Sequence, residues 1–150
     1  MGFNIVLVEP EIPNNTGNIG RLSLAAGCKL HLVKPFGFEL NDKRVKRAGL
    51  DYWKHLSVST YENLDDFFLK NKDEKMVFLS SKSENIYSTI AFEKNMFLVF
   101  GKESVGLNAD LILKNKSNSF KIPIYSKKVR SLNLANAVSI VVYEGLKKLY

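Results

Sequence analysis

Three loops of this 150-residue chain carry polar side chains that could do chemistry, and each follows a short apolar run. The first loop covers residues 9–21 and ends in Arg21. The second covers residues 100–107 and includes Glu103, and the third covers residues 122–136. Open α/β sheets bind ligands at the carboxyl ends of their strands, where loops of this kind meet. We therefore expect a ligand site built from these three loops.

The polar residues also have ordinary structural interpretations when each loop is taken alone. Asn15 is a natural N-cap for a following helix, and Glu103 could cap the helix after the second loop. Ser131 and Asn133 flank the start of the last predicted helix. The free N–H groups there favour a capping side chain, a bound anion or a ribose oxygen. The residue types therefore leave capping and ligand binding open as alternatives.

The glycines and Arg21 narrow the kind of ligand. Gly17 and Gly20 form a Gly-x-x-Gly without the rest of the dinucleotide fingerprint, which disfavours a nicotinamide-dependent enzyme. Gly101 lets the backbone of the second loop approach a ligand, because a Cβ would occupy the ligand's space. Arg21 lies one helical turn after Gly17 and can face back toward its loop, with a surface arginine as the alternative.

The pattern of apolar residues predicts one α/β domain over residues 1–150. A βαβ unit of a parallel sheet is formed by a strand over 3–8, a turn-rich loop over 13–17, a helix over 18–26 and a strand over 30–33. Further strands are predicted over 76–79, 96–100 and 120–124, and further helices over 42–49, 109–113 and 132–149. Another helix is predicted to open at Thr60, with Leu64, Phe67 and Phe68 inward.

The helix predicted over 132–149 is apolar almost all round its middle. Val138, Val141 and Val142 would form an apolar face, and monomers seldom leave such a face exposed. In a chain this small, a second subunit is the natural cover. The sequence therefore predicts a homodimer.

Composition excludes several other classes of protein. With 45% hydrophobic and 25% charged residues, the chain can bury a core and is not disordered. It has no apolar run of the ~18 residues that a membrane span needs, and no signal-peptide pattern at its start. Cys28, His31 and His55 are too few for an internal disulfide or a zinc site. We expect a cytoplasmic protein without a metal.

The net charge of +7 is concentrated in the second half of the chain. Residues 1–75 carry 11 basic and 10 acidic side chains, whereas residues 76–150 carry 11 basic and 5 acidic ones. Two clusters are candidate phosphate contacts: Lys43, Arg44, Lys46 and Arg47, and then Lys127, Lys128 and Arg130. The alternative is a solvated basic surface that keeps the protein in solution.

Read together, the three loops resemble the three motifs of the SPOUT RNA methyltransferases in order and spacing. The first is Glu-Pro-Glu-Ile-Pro-x-Asn-Thr-Gly-Asn-Ile-x-Arg, starting at Glu9. The second is Phe-Gly-x-Glu-x-x-Gly-Leu, starting at Phe100, and the third joins Ile-Pro to Arg-Ser-Leu-Asn-Leu-x-Asn-Ala-Val. The resemblance extends over residues 3–148 and is greatest to the small tRNA wobble-position 2′-O-methyltransferases, which consist of the catalytic domain alone.

The resemblance implies a fold, a cofactor and partners. The fold is a mostly parallel sheet with helices on both faces and a C-terminal trefoil knot. S-adenosylmethionine would be the methyl donor, the anticodon stem-loop of tRNA the substrate, and a homodimer the active form. The target would be cytidine or a modified uridine at position 34. A non-catalytic RNA-binding module of the same fold is the alternative function.

The resemblance also assigns residues to roles. Those that match the family's cofactor-binding positions are Leu79, Gly101, Ile122, Ser131 and Leu132. Those that match its catalytic positions are Arg21, Asn15, Glu103, Ser131 and Asn133. A guanidinium is too weak an acid to serve readily as a base, so we expect Arg21 to orient the ribose or phosphate and stabilise developing alkoxide charge. Glu103 is expected to order the loops around the site.

Overall fold

A seven-stranded sheet organises the computed structural model, which describes residues 2–41, 43–49 and 52–150. Its strands are β1 (Asn4–Val8), β2 (Lys29–Val33), β3 (Val58–Tyr61), β4 (Met76–Leu79), β5 (Asn85–Ile86), β6 (Phe97–Phe100) and β7 (Ser119–Lys121). They lie in the order β3-β2-β1-β6-β4-β7-β5, and every registered strand pair among the described residues is parallel. The predicted parallel α/β sheet is confirmed.

In the part of the chain that the structure describes, the α-helices are α1 (Pro13–Ala25), α2 (Lys43–Gly49), α3 (Leu64–Lys70), α4 (Ala109–Lys114) and α5 (Leu134–Leu149). Side chains of a strand alternate between its two faces, so each strand contributes to two cores. In β1, Ile5 and Leu7 join the core that contains residues of α1 and α5. Val6 and Val8 join the second core, which contains residues of α3 and α4. The predicted helices on both faces are confirmed, and the trefoil knot stays a prediction.

The apolar face of α5 lies inside the chain's own core. Val138, Val141 and Val142 are each 0% exposed, so they leave no uncovered patch and the expected reason for a dimer is wrong. Gly145 lets the helix approach closely, because a Cβ there would lie 2.6 Å from the rings of Phe3 and Phe92. The periodicity predicted a helix buried on several sides. It could not show that the sheet of the same chain buries the apolar face of α5.

Several boundaries differ from the predicted ones. Helix α1 begins at Pro13, so the predicted loop over 13–17 is helical. Thr60 lies in β3 rather than in a helix, and α3 begins only after Asn63, whose side chain accepts a hydrogen bond from Asp66 N at 2.8 Å. The last strand ends at Lys121, before the proline that lacks an N–H for the ladder. Strand β5 was not predicted, since two residues are too few to show alternation.

Helix α2 confirms the predicted basic helix, although Asp42 at its predicted start lies outside the described residues. The chain that follows α2 packs on α1. A Cβ at Gly20 of α1 would lie 2.7 Å from Cζ3 of Trp53, so this glycine leaves the room that the indole occupies. The helix gives up some intrinsic stability at Gly20 and gains a large aromatic contact.

His31 of β2 forms the centre of a buried hydrogen-bonded chain. Its Nε2 lies 2.9 Å from Oδ1 of Asn4, and its Nδ1 lies 2.8 Å from the hydroxyl of Tyr61. The Nδ2 group of Asn4 donates to Asn95 O, so its Oδ1 must accept, and His31 therefore carries its proton on Nε2. Burial, with a smaller contribution from the charge of Lys29, lowers the pKa of His31 to about 4.

Because the folded pKa of His31 is about 4 and the ordinary value is 6.5, the fold favours the neutral ring. This contribution to stability is complete above pH 6.5 and is lost as the pH falls toward 4, by about 3 kcal/mol. Urea unfolding should therefore show the stability advantage of the wild type over His31→Gln shrinking by this order between pH 7 and pH 4. The control is His55→Gln, which makes the same change at an exposed histidine. An advantage that does not change with pH would contradict the neutral buried histidine.

Candidate active site

A cavity of about 690 Å³ lies where several strands end at their carboxyl side. Residues 80–82 after β4, 101–106 after β6, Ile122 and Ile124 after β7, and 130–134 before α5 contribute to its wall. Ile12 and Asn15 from the start of α1 close another side. The three loops that the sequence singled out therefore meet at one cavity.

The cavity contains most of the residues expected at the site. The five expected at the cofactor all line it: Leu79, Gly101, Ile122, Ser131 and Leu132. Of the residues matched to catalytic positions, Asn15, Glu103, Ser131 and Asn133 also line it. The described lining residues do not include Arg21. Sequence reasoning had not assigned Lys82 or Ser104 to the site, and both lie on its wall.

Glu103 joins the second loop to the first through its carboxylate. Both of its oxygens accept the N–H of Glu11 at 3.1 Å, and one also accepts the N–H of Ile12 in a very short contact. Ile12 is the N-cap of α1 and has no capping side chain of its own. A carboxylate here satisfies an otherwise unpaired N–H and lies favourably at the positive end of the helix dipole. With Pro13 presetting the first turn, this contact explains why α1 starts earlier than predicted.

Glu11 returns the interaction from the first loop to the second. Its Oε1 accepts the Ser104 hydroxyl at 2.6 Å and the Ser104 backbone N–H at 2.9 Å. These two hydrogen bonds lower the pKa of Glu11, with a smaller lowering by the charge of Lys102. We call these two sets of hydrogen bonds the carboxylate clasp: Glu103 accepts from the N–H groups of Glu11 and Ile12, and Glu11 accepts from Ser104. The first motif contained Glu11, but only the tertiary contact shows what its side chain does.

Asn15 and Asn133 connect the first loop to the third. Asn133 Nδ2 donates to Asn15 Oδ1 at 3.1 Å, and the Asn15 side chain is almost fully buried. Asn133 is also the N-cap of α5, and its Oδ1 accepts Asn136 N at 3.3 Å. The capping interpretation of Asn133 is therefore confirmed, and its binding of a ligand stays a prediction. The expectation that Asn15 caps a helix is wrong, because it lies inside α1.

The structure explains the glycine at position 101 by packing within its own loop, whereas the sequence predicted the close approach of a ligand. A Cβ there would lie 2.2 Å from both Gly106 C and Leu107 N, so it would collide with the turn of its own loop before it reached a ligand. Gly106 completes the turn at a φ of +71°, which suits glycine. The ammonium of Lys82 holds the same turn by donating to Val105 O at 3.3 Å and Leu107 O at 3.4 Å.

Arg21 contacts an aromatic ring and is not among the described residues that line the cavity of its own chain. Its guanidinium lies over the ring of Tyr52, 5.0 Å from the ring centroid, in a cation–π contact on the protein surface. The expectation that Arg21 faces back toward its own loop is therefore wrong. The reason is local, since the chain after α2 places an aromatic ring beside α1.

The basic clusters lie on the surface. Lys43, Arg44, Lys46 and Arg47 of α2 are all exposed, as are Lys127, Lys128 and Arg130 of the third loop. Among these seven, Arg130 also lines the cavity. The structure describes no helix long and apolar enough to cross a membrane. Within the same described ranges, no cluster of three or more His, Cys, Asp or Glu side chains is arranged to hold a metal.

A parallel sheet with a loop-lined cavity at its carboxyl edge defines a ligand-binding α/β protein, and comparison with known proteins identifies its family. The chain belongs to the SpoU rRNA Methylase family, whose model matches residues 2–143. This confirms the resemblance carried by the three motifs.

Three relatives illustrate the similarity. A tRNA (cytidine(34)-2′-O)-methyltransferase of Saccharophagus degradans is 45% identical, with 98% of this chain and 96% of the relative covered. A solved structure described in terms of the 2-OH methylation of C/U34 on tRNA is 36% identical with a TM-score of 0.92, covering 98% of this chain and 95% of its own. An AdoMet-bound rRNA methyltransferase from Sinorhizobium meliloti is 25% identical with a TM-score of 0.88, covering 99% and 57% respectively.

The carboxylate clasp predicts a measurable link between loop order and stability. Glu103→Ala leaves the N–H of Ile12 without its partner, so we expect a loss of about 1–2 kcal/mol in unfolding free energy. Hydrogen exchange at the amides of Glu11 and Ile12 should accelerate in the same variant. The control is Glu62→Ala, which removes an exposed ion pair with Lys34 and should change little. Unchanged exchange at both amides in Glu103→Ala would contradict the clasp.

Proposed function

We propose that this protein transfers the methyl group of S-adenosylmethionine to the ribose 2′-hydroxyl of the wobble nucleotide of tRNA, cytidine or modified uridine 34. The observation that carries the proposal is the meeting of Asn15, Ser131 and Asn133 with the second loop at one cavity. It is supported by the match over nearly the full length of relatives named for this reaction. A tRNA substrate also agrees with a cytoplasmic location and with the free thiol of Cys28.

The cavity fits the proposed methyl donor. Its volume of about 690 Å³ is within the range of roughly 300–1,000 Å³ that small-molecule sites occupy. Leu79, Ile122 and Leu132 supply apolar walls, while Ser131 and Asn133 supply a few polar groups. S-adenosylmethionine, when bound, supplies an electrophilic methyl group on a positively charged sulfur. A strongly anionic wall would oppose transfer, because that positive charge is lost in the reaction.

The contacts of Glu103 support a structural role for this residue. Glu103 lines the cavity, yet its oxygens are occupied by the backbone N–H groups of Glu11 and Ile12. Charge-assisted hydrogen bonds of this kind hold the carboxylate against the first loop. We therefore assign Glu103 to positioning the first loop rather than to proton transfer.

Arg21 is the group that we assign to the reacting ribose. In the proposed transfer the ribose 2′-oxygen would gain the methyl group given up by the sulfonium of the donor, its proton would pass to water at the open cavity, and negative charge would develop on that oxygen. A guanidinium stays protonated, so Arg21 stabilises that charge and holds the ribose or a phosphate in place. Because Arg21 is not among the described residues that line its own cavity, we place the Arg21 of a second copy of the chain at this site.

A homodimer would bring the second Arg21 to the cavity. Helices α1 and α5 are neighbours in the fold, and α5 exposes the apolar side chains of Ile140 and Tyr143. Leu132, on the cavity wall, is also exposed. A two-fold contact through this surface would bury those side chains and pair each cavity with its partner's α1. These exposed residues replace the buried valines as the support for the dimer.

The central experiment measures methyl incorporation into tRNA. Wild-type protein with radiolabelled S-adenosylmethionine should label tRNA, and mapping of alkali-resistant linkages should place the label at nucleotide 34. A protein that binds tRNA without labelling it would favour the non-catalytic RNA-binding module. Thermal stabilisation by NAD and not by S-adenosylhomocysteine would favour a nicotinamide-dependent enzyme.

Substitution of Arg21 separates charge from geometry. Arg21→Ala should lower the methyl-transfer rate by roughly 10²–10³, as loss of one charge-stabilising donor typically does. Arg21→Lys should recover little, because an ammonium cannot hold two oxygens in the fixed plane of a guanidinium. Calorimetry should show unchanged S-adenosylhomocysteine affinity in both variants. An Ala variant near the wild-type rate would remove Arg21 from the mechanism.

A mixed dimer tests whether Arg21 acts on the partner's cavity. Arg21→Ala retains a sound cavity, whereas Ile122→Trp fills the cavity and retains Arg21. Co-expression with two affinity tags isolates the mixed dimer, in which one of the two sites is complete if Arg21 acts across the interface. We expect about half of the wild-type activity per dimer, with both parent variants inactive. An inactive mixed dimer would contradict this placement.

The basic helix α2 should contribute to tRNA binding through phosphates. Changing Lys43, Arg44, Lys46 and Arg47 together to Gln should weaken binding and lower the salt slope by about 0.7 for each lost single-strand contact. The control changes Lys70 and Lys75, which are exposed and paired with Asp66 and Glu93. Filter binding at several salt concentrations measures both effects. If the wild type, the α2 variant and the Lys70 and Lys75 control show the same salt dependence of tRNA binding, the basic residues of α2 only keep the protein in solution.

A further inference from the structure

Tyr125, in the third loop between β7 and α5, holds an aromatic ring almost entirely in water. Its side chain is 95% exposed, the largest value for a large hydrophobic residue in the part of the chain that the structure describes. Leaving an aromatic ring in water forgoes the free energy that its burial would provide. A ring placed this way on a loop beside the cavity is suited to contact a partner.

The charge around Tyr125 indicates the chemistry of that partner. From residue 111 to residue 143 the chain contains six basic side chains and no acidic one. Lys127 and Lys128 follow Tyr125 directly after Ser126, and both are exposed. Such a surface attracts a polyanion and repels a second copy of the same loop. A polyanion that also presents flat apolar rings is single-stranded nucleic acid, whose bases stack on aromatic side chains.

The position of the loop narrows which base is contacted. Ile124 and Arg130 line the cavity on either side of Tyr125 in sequence, while Tyr125 itself is exposed to water. The loop that carries the ring therefore borders the cavity that the reacting ribose would enter. We propose that Tyr125 stacks on an unpaired base next to the target nucleotide, while Lys127 and Lys128 contact its phosphates. This inference rests on the proposed function, because it assumes that the ribose of an RNA loop enters the cavity.

Binding of an anticodon stem-loop RNA with cytidine at position 34, in the presence of S-adenosylhomocysteine, tests the stacking. Tyr125→Ala should weaken binding by about 5- to 150-fold, the range that corresponds to loss of one stacked base. Tyr125→Phe should bind like the wild type, and Tyr125→Leu should resemble Tyr125→Ala. The matched control is Val129→Ala in the same loop, since Val129 is also exposed. Wild-type affinity in Tyr125→Ala would overturn the proposal.

Abasic sites in the RNA locate the partner base. One abasic position beside nucleotide 34 should weaken binding to the wild type and cause no further loss with Tyr125→Ala. Additive losses at every position would overturn the contact. Sedimentation of Tyr125→Ala tests the alternative that the ring contacts a second copy of the chain. Dissociation of the dimer in this variant would also overturn the proposal. The proposed function is tested separately by methyl transfer with the wild type, so failure of either one is distinguishable.

Discussion

The site depends on one reciprocal interaction, the carboxylate clasp between the first and second loops. Glu103 holds the start of α1, and Glu11 holds the turn that contains Ser104. Each carboxylate is far along the chain from its partners, so the contact closes a long loop and must offset the entropy of doing so. Charge-assisted hydrogen bonds to backbone N–H groups are strong enough to keep two surface loops in one arrangement. The clasp thereby fixes the start of α1, the helix that carries Asn15 on the cavity wall.

The clasp also separates two electrostatic requirements that a methyltransferase of RNA must meet. On the proposed function, RNA would meet the positive side chains of Lys127, Lys128 and Arg130, which are exposed in the third loop. The wall facing the methyl donor would need little negative charge, although the second motif places Glu103 at the cavity. Hydrogen bonds from the backbone let the protein keep that carboxylate at the cavity as a structural group.

The packing of α5 shows how a helix end becomes part of a site. Val138 and Val142 anchor α5 in the core, which fixes the height of its N-terminus above the sheet. Asn133 then caps the helix with its oxygen and reaches Asn15 with its nitrogen. A rigid helix thus transmits the order of the core to the first and third loops. Positions held by such elements vary less than positions held by loops alone.

Local patterns were sufficient for much of the fold. Five of the seven parallel strands, the basic helix and most of α5 follow from short-range periodicity, and the three motifs identified the family and the loops of the cavity. Strands β3 and β5 and the early start of α1 were not predicted. A two-residue strand has no pattern to read, and α1 is capped at Ile12 by a side chain from another loop.

The sequence by itself determined which residues are available for chemistry, because residue type and spacing specify hydrogen-bonding groups, charges and strand ends. Only the tertiary structure decided what each of them contacts. It set Arg21 over the ring of Tyr52 rather than on the described wall of its own cavity, and it placed Gly101 against its own turn. It also buried Val138 in the chain's own core. These outcomes depend on contacts between segments that are distant in sequence, and periodicity carries no information about which distant segment supplies the contact.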